Sequence, residues 1–593
     1  MSCKLIVRAI PYSLACALVW LVAMTCLAGE DPSAATEPAA EKPPAKLDRA
    51  AVVRELRDFS LKGMHRRLGS DYTFFHPKGP EEPFPEIWQA PAKQGPNGRR
   101  YQVGGPWSNQ AGDFSSTQGQ VLYVPDKRLG VDRVTILEWS NNAYSESPEI
   151  PWWGGFRPDP ASSGWTRGSK GPIGLPLGMA RGMGAWSNCG VIIFSSGLVA
   201  TAGTCTGFGS NPTLKFPPNK LPTAISVTGR SELALVTIVD LQAMKGQVAV
   251  LALESNGRGF AHEWKEAYPG LANAAVFTGI KFLGFIDLPD MTFPTGISAM
   301  GNNPYTRVEG RKGHAGMLSE YNLANQADRD CFYSGGNSGV ISTAGYAVVT
   351  SKHENKVAFI DLKPLFQRFR EMYLTTEENY KKTRNLGPGP KQWPYTFEAD
   401  PAMKPQVVKV VDHPTPTAVI VGIQGGPEAR ALVASLDGKI GIYEVGGLGS
   451  QAVASPDGIR LAGGVQVGRN PVCLAYDKWS NDRFIVVSRG DRLIQWIRQA
   501  GNGAMVFRQL KDARLMDPVC VERADTHGTD ADIVTVTDFK GRKILNYRVS
   551  EAVFATNGGA RFGMGPDGKA ESECGGIMEF PGSPFCISAS NVN

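Results

Sequence analysis

From residue 120 onward the chain alternates short apolar runs with polar turns, a pattern that leaves little room for long helices. The stretches "ALVTIVDLQAMKGQVAVLAL" (234–253), "YAVVTSKHENKVAFIDL" (346–362), "ALVASLDGKIGIYEV" (431–445), "FIVVSRGDRLIQWIR" (484–498) and "IVTVTDFKGRKILNYRV" (533–549) share one layout. Each is an apolar run, a polar turn and a second run of alternating character, which predicts a β-hairpin. Another phrase, a proline followed by a small residue among apolar or β-branched ones, stands ahead of most hairpins. Its copies are "LPTAISV" (221–227), "FPTGISA" (293–299), "TPTAVIV" (415–421), "NPVCLAY" (470–476), "DPVCVER" (517–523) and "SPFCISA" (583–589). A recurring unit of about fifty residues with four short strands predicts a ring of sheets, each burying its faces only against its neighbours.

Seven units are predicted. Six run roughly over 186–210, 213–253, 280–362, 405–444, 463–500 and 504–550, and the seventh is assembled from both ends. "SPFCISASNVN" (583–593) carries the proline phrase with no hairpin after it, and "VLYVPDKRLGVDRVTILEW" (121–139) is a hairpin with no proline phrase before it. Pairing 121–139 with 576–593 would close the ring and remove its exposed sheet edges. Over 120–593 these repeats resemble the seven-bladed propellers of the YVTN and quinohaemoprotein amine dehydrogenase-like superfamily, within the broad WD40-like group. The resemblance implies an all-β fold, a seven-bladed β-propeller, and the sequence ahead of it predicts a short helical N-terminal extension. That superfamily includes dehydrogenase subunits, lyases and binding scaffolds, so it implies no single activity.

Three regions precede the ring. Residues 1–28 carry Lys4 and Arg8 and then the apolar run "SLACALVWLVAMTCLAG" (13–29), which predicts a signal peptide cut near Ala28. A lipid anchor at Cys26, disfavoured by Met24 and Thr25, and a retained signal anchor are the alternatives. Residues 29–46 read as a Pro/Ala-rich linker. Residues 47–119 form an extension with one helix, in which Val52, Leu56 and Phe59 share a side; it is read as packed on the outside of the ring, with partner binding as the alternative. The expectation is a secreted or periplasmic protein with no membrane insertion after cleavage. The 68 glycines and 42 prolines suit a chain of strands and turns. Removal of the signal takes away only Lys4 and Arg8, so the formal charge falls from +6 to +4, which gives no argument for nucleic acid.

"CGVIIFSSGLVATAGTC" (189–205) and "SGGNSGV" (334–340) resemble the histidine-bearing segment and the nucleophile loop of trypsin-like serine proteases. The resemblance implies a bridge between Cys189 and Cys205, an orienting carboxylate at Glu232 and a nucleophile at Ser338. Thr204 stands where that family has its histidine, and threonine cannot act as the base near neutral pH, so an active protease is disfavoured. Cys473, Cys520 and Cys586 occupy equivalent positions in their proline phrases, where other copies have Ala224, Gly296 and Ala418. They read as small buried residues, with a soft-metal site as the lesser alternative. The seven histidines form no HExxH or HxH pair, no cysteines form CxxC, and no glycine-rich phosphate loop follows a strand, so no cofactor or metal is predicted. Trp152, Trp153 and Trp165, in a Gly/Pro-rich stretch (151–186) with interspersed arginines, are either loop anchors or a surface for a sugar ring. Together with Lys352, His353 and Arg489 in hairpin turns they make up the candidate ligand-binding residues. The expected function is a binding or scaffolding module for a protein or carbohydrate partner. The alternative is a propeller enzyme of polysaccharide-lyase or quinoprotein-dehydrogenase type, which requires Lys352, His353, Arg489 or Asp491 to converge at one channel mouth.

Overall fold

The computed structural model describes most of residues 176–589, except 183–188, 204–211, 256–263, 273–276, 304–307, 311–317, 423–428, 478–481, 524–531, 550–571 and 580–581. It also describes strands at 93–94, 100–101, 118–125 and 136–140. The chain divides into units 1–46 and 47–593, and everything described lies in the second. The predicted signal peptide, linker and N-terminal helix lie outside the described residues, as do Trp152, Trp153 and Trp165.

The fold is a β-propeller. Six antiparallel four-stranded sheets follow one another along the chain: blade I (176–215), II (220–287), III (296–412), IV (416–466), V (471–511) and VI (518–579). A further sheet of three strands pairs Gly582–Ala589 with Gln118–Pro125, which in turn pairs with Ile136–Ser140. The expected seventh four-stranded blade is therefore corrected to six full blades and a three-stranded closing sheet among the described residues. Neighbouring innermost strands touch in succession, and the closing strand Gly582–Ala589 touches the innermost strand of blade I, Pro176–Ala180.

The proline phrase is the innermost strand of each sheet. Strand pairing slips by one residue at the proline, between Pro176 and Gly178, Pro416 and Ala418, Pro471 and Cys473, Pro518 and Cys520, and Pro584 and Cys586. Blade II makes the same slip around Thr223, since Pro222 faces Ile238 while Ala224 faces Thr237. Proline has no N–H to give to a ladder and is tolerated where a bulge begins a strand with one free edge. The two middle strands of each blade are largely apolar because both faces are covered by adjacent sheets. Leu233–Asp240, Gly345–Ser351 and Arg430–Ser435 are buried at every position. Successive innermost strands are stitched directly: Ser226 Oγ accepts from the Ala299 N–H at 3.0 Å and Ser298 Oγ from the Val421 N–H at 3.1 Å.

The predicted repeat boundaries were shifted. Gln406–Asp412 and Ile459–Gln466 are the outer strands of blades III and IV, not the start of the next unit. Residues 176–180, read from sequence as part of the aromatic loop, form the innermost strand of blade I.

Antiparallel order dictates two faces. Turns between the second and third strands, and connectors into each innermost strand, fall at one end of the strands, here the upper face; the remaining loops fall at the lower face. Upper connections are short. The lower face carries two long insertions in blade III: one contains helix α1 (Gln326–Tyr333), and the other contains α2 (Lys363–Leu374) and α3 (Glu377–Lys382). Proline in the first turn of α2 suits a helix start, and Leu365, Phe366, Phe369, Met372 and Tyr373 are buried. An aromatic cluster fixes these insertions: Trp264 meets Phe332 at 4.9 Å and Tyr373 meets Trp393 at 5.4 Å between ring centres. Lys281 adds a polar clamp, donating to the carbonyls of Gly387, Gly389 (2.7 Å) and Gln392 (3.3 Å).

Candidate functional site

The upper face is assembled from the hairpin turns and the connectors that hand the chain from one blade to the next. In blades IV and V the residue before the proline, Thr415 (φ 40°) or Asn470 (φ 51°), is left-handed. This backbone is unfavourable for a residue with a β-carbon and persists where surrounding bonds hold it. Here it aims the carbonyls of Thr415 and Asn470 at the N–H groups of Leu436 and Arg489 in the turns of their own blades, at 3.1 and 3.0 Å. The turn of blade IV then receives the Asn470 N–H, so the connector into blade V is tied to its neighbour.

Several charges on this face pair with one another. Lys220 binds Asp240 at 2.5 Å, Lys356 binds Asp412 at 2.6 Å and Arg469 binds Asp491 at 2.6 Å. Arg489 grips Asp517, on the connector into blade VI, through two parallel bonds of 2.7 and 2.8 Å, the strong geometry for a guanidinium and a carboxylate. The Lys220 hydrogen bond holds the Asp240 carboxyl far below the usual carboxylate range, and the Arg469 hydrogen bond does the same to Asp491 to a lesser degree.

Between these pairs, large apolar side chains project to solvent. Leu241 and Met244, in the hairpin turn of blade II, are 50% and 51% exposed; Leu436, in that of blade IV, is 41%; Met516, on the connector into blade VI, is 52%. The half-buried Phe293 ring on the connector and the exposed His353 ring in the turn of blade III stand with centres 6.1 Å apart.

The sequence-predicted residues divide accordingly. Lys352 and His353 sit exposed in one turn of blade III, while Arg489 lies in the turn of blade V, engaged with Asp517. The structure places the three on one face but in non-adjacent blades. Asp491 is engaged with Arg469. The exposed leucine and methionine tips were missed by sequence reasoning. Their signal was present as apolar residues inside turns, "DLQAMK" and "SLDGK", but it was read as turn chemistry alone.

The protease-like residues are dispersed. Cys189–Phe194 and Leu198–Gly203 form a hairpin of blade I whose turn needs Gly197 at φ +81°; Cys205 and Thr204 lie outside the described residues, and no disulfide is found among the described ones. Glu232 is fully buried, and burial raises its pKa although Thr228 donates to it at 2.6 Å. Its other oxygen accepts from Ser342, not Ser338, at 3.1 Å, so it anchors the blade III insertion to blade II. Ser338 begins a short 3-10 turn, Ser338–Val340, in that insertion.

A separate cavity of about 350 Å³ opens at the lower face, lined by Arg430, Glu444, Gly446, Gly447 and Ser450 among others. Its Glu444 carboxylate is held by Arg460 at 2.6 Å and by Asn502 at 3.2 Å. Among the described residues no three His, Cys, Asp or Glu side chains are grouped to hold a metal ion, and no helix is long and apolar enough to cross a membrane.

No family model matches the chain, and no curated protein does. Among solved structures, a periplasmic gluconolactonase from Pseudomonas aeruginosa is similar at 11% identity and a TM-score of 0.41, covering 81% of this chain and all of that one. A protein of unknown function from Desulfotomaculum acetoxidans is similar at 9% identity and a TM-score of 0.37, covering 72% of this chain and 92% of that one.

Proposed function

We propose that this protein is an exported β-propeller that acts as a binding module and receives a protein partner on its upper face. In this reading the closing sheet fills a seventh sector of the ring, as in YVTN-like propellers. The observation that carries the proposal is the set of exposed apolar tips, Leu241, Met244, Leu436 and Met516, on turns where polar residues are the rule. Several of the surrounding carboxylates and cations are paired with one another: Lys220 with Asp240, Arg469 with Asp491 and Arg489 with Asp517. That sets apolar anchors beside paired charges on the turns of blades II and IV and the connector into blade VI, a mixture suited to a protein surface.

The test is the combined variant Leu241→Glu, Met244→Glu, Leu436→Glu, all three positions being exposed. Its melting temperature should stay within about 2 °C of wild type. It should also lose the protein recovered with tagged wild type after cross-linking in the cells that make it. Recovery of the same protein by the variant would overturn the proposal. So would glycan-array binding that disappears in Trp152→Ala, Trp165→Ala, because the ligand would then be a carbohydrate. Export is checked separately, by whether the mature chain begins near residue 29.

A further inference from the structure

Three cysteines stand at one position of three consecutive innermost strands. Cys473 in blade V, Cys520 in blade VI and Cys586 in the closing sheet each lie two residues after the bulge-forming proline. At that position the side chain reaches toward the innermost strand of the next sheet. The Cys473 Sγ lies 3.7 Å from the Cys520 Sγ and 3.7 Å from the Val521 carbonyl oxygen, and the Cys586 Sγ lies 3.8 Å from the Met179 carbonyl oxygen in blade I. Cys586 is a second hydrogen-bonding neighbour of Cys520. All three are free thiols and half-buried. Gly178, Ala224, Gly296 and Ala418 fill the same place in the other sheets, so the fold requires only a small side chain there. Sulfur at three successive positions is chemistry beyond that requirement.

We propose that Cys473, Cys520 and Cys586 form a peroxide-reactive thiol site in the channel wall, in which Cys520 is oxidised and Cys473 closes a disulfide between neighbouring innermost strands. The reactive species of a cysteine is its thiolate. Hydrogen bonds from Cys473 first and Cys586 second favour that form at Cys520, pulling its pKa below the ordinary thiol range, while the same bonds and burial hold the two neighbours up as thiols. The Cys520 thiolate attacks one oxygen of hydrogen peroxide, the O–O bond breaks, and a sulfenic acid and hydroxide result. The Cys473 sulfur then attacks the Cys520 sulfur. The S–O bond breaks, water leaves with the thiol proton, and the S–S bond forms. Peroxide is reduced by two electrons and the two thiols are oxidised by two. A disulfide needs sulfurs about 2.05 Å apart, so the pair must close by about 1.7 Å, within reach of side-chain rotation on strands already in contact. The product is a covalent staple between blades V and VI.

The test treats reduced full-length protein with hydrogen peroxide, blocks the remaining thiols with iodoacetamide and maps peptides by mass spectrometry. The expected first product links Cys473 to Cys520. In Cys473→Ala, Cys520 should instead be caught as a sulfenic acid by dimedone or be linked to Cys586. In Cys520→Ala, which installs the residue that blades II and IV carry there, Cys473 and Cys586 should stay reduced at the same peroxide dose. Melting curves of the variants confirm that they fold, and a Cys473→Ser variant repeats the trapping arm if the alanine variant does not. The proposal is overturned if Cys520 remains alkylatable after peroxide while Cys331 or another cysteine reacts first, or if the first disulfide omits Cys520.

Discussion

His413 shows how one buried side chain ties stability to pH. Its ring is almost fully buried, with Nδ1 2.7 Å from the Tyr443 hydroxyl and Nε2 2.8 Å from Ser435 Oγ. Burial pulls its pKa down to about 4, and Asp437 opposes this only weakly. An unfolded histidine takes up its proton near pH 6.5, so between those values the unfolded chain binds more protons than the folded one. Stability from this group is therefore full above pH 6.5 and is lost as the pH falls toward 4, by about 3 kcal/mol in all. Urea unfolding of wild type and His413→Gln at pH 7 and pH 4.5 should give a smaller pH difference for the variant; an equal difference would contradict this account. From sequence, His413 was one of seven scattered histidines, because neither Ser435 nor Tyr443 is near enough in the chain to announce the pocket. Arg489 teaches the same lesson in reverse. It read as a candidate for ligand binding because its partner Asp517, in the next blade, becomes visible only when the ring is built.

At the scale of elements, legibility followed burial. The middle strands of each blade are covered on both faces, so their mostly apolar runs gave them away. Outer strands are half in water: Ile459–Gln466 is buried only at its first residue and otherwise half-buried or exposed. Its weak periodicity is why such strands were assigned to the wrong unit or to none. The three lower-face helices among the described residues were also missed, since their apolar residues meet aromatic groups from distant loops. Trp393 is central to that contact, fully buried and ringed by Phe369, Tyr373 and Tyr395. Trp393→Ala should cost roughly 3–5 kcal/mol. If α2 and α3 open first, limited proteolysis will cut within 362–405 before any blade strand is cut. Cleavage first in a blade would show that the insertions do not depend on this cluster.

For the whole molecule, the repeat and its proline phrase made the propeller readable, since each copy poses the same problem of starting an innermost strand with a free edge. The number of complete blades was less readable, because the two ends of the ring share one sheet of three strands. The division of labour between faces follows from topology: long insertions occupy the lower face, and short turns with leucine and methionine tips remain on the upper one. A photo-reactive amino acid placed at Leu436 or at Val453, in cells that make the protein, distinguishes the faces most directly. Val453 lies in a lower-face loop and is 88% exposed against 41% for Leu436, so exposure alone would favour it. The account predicts one dominant cross-linked protein from position 436 and only diffuse labelling from 453; a dominant product from 453, or equal products from both, would contradict it.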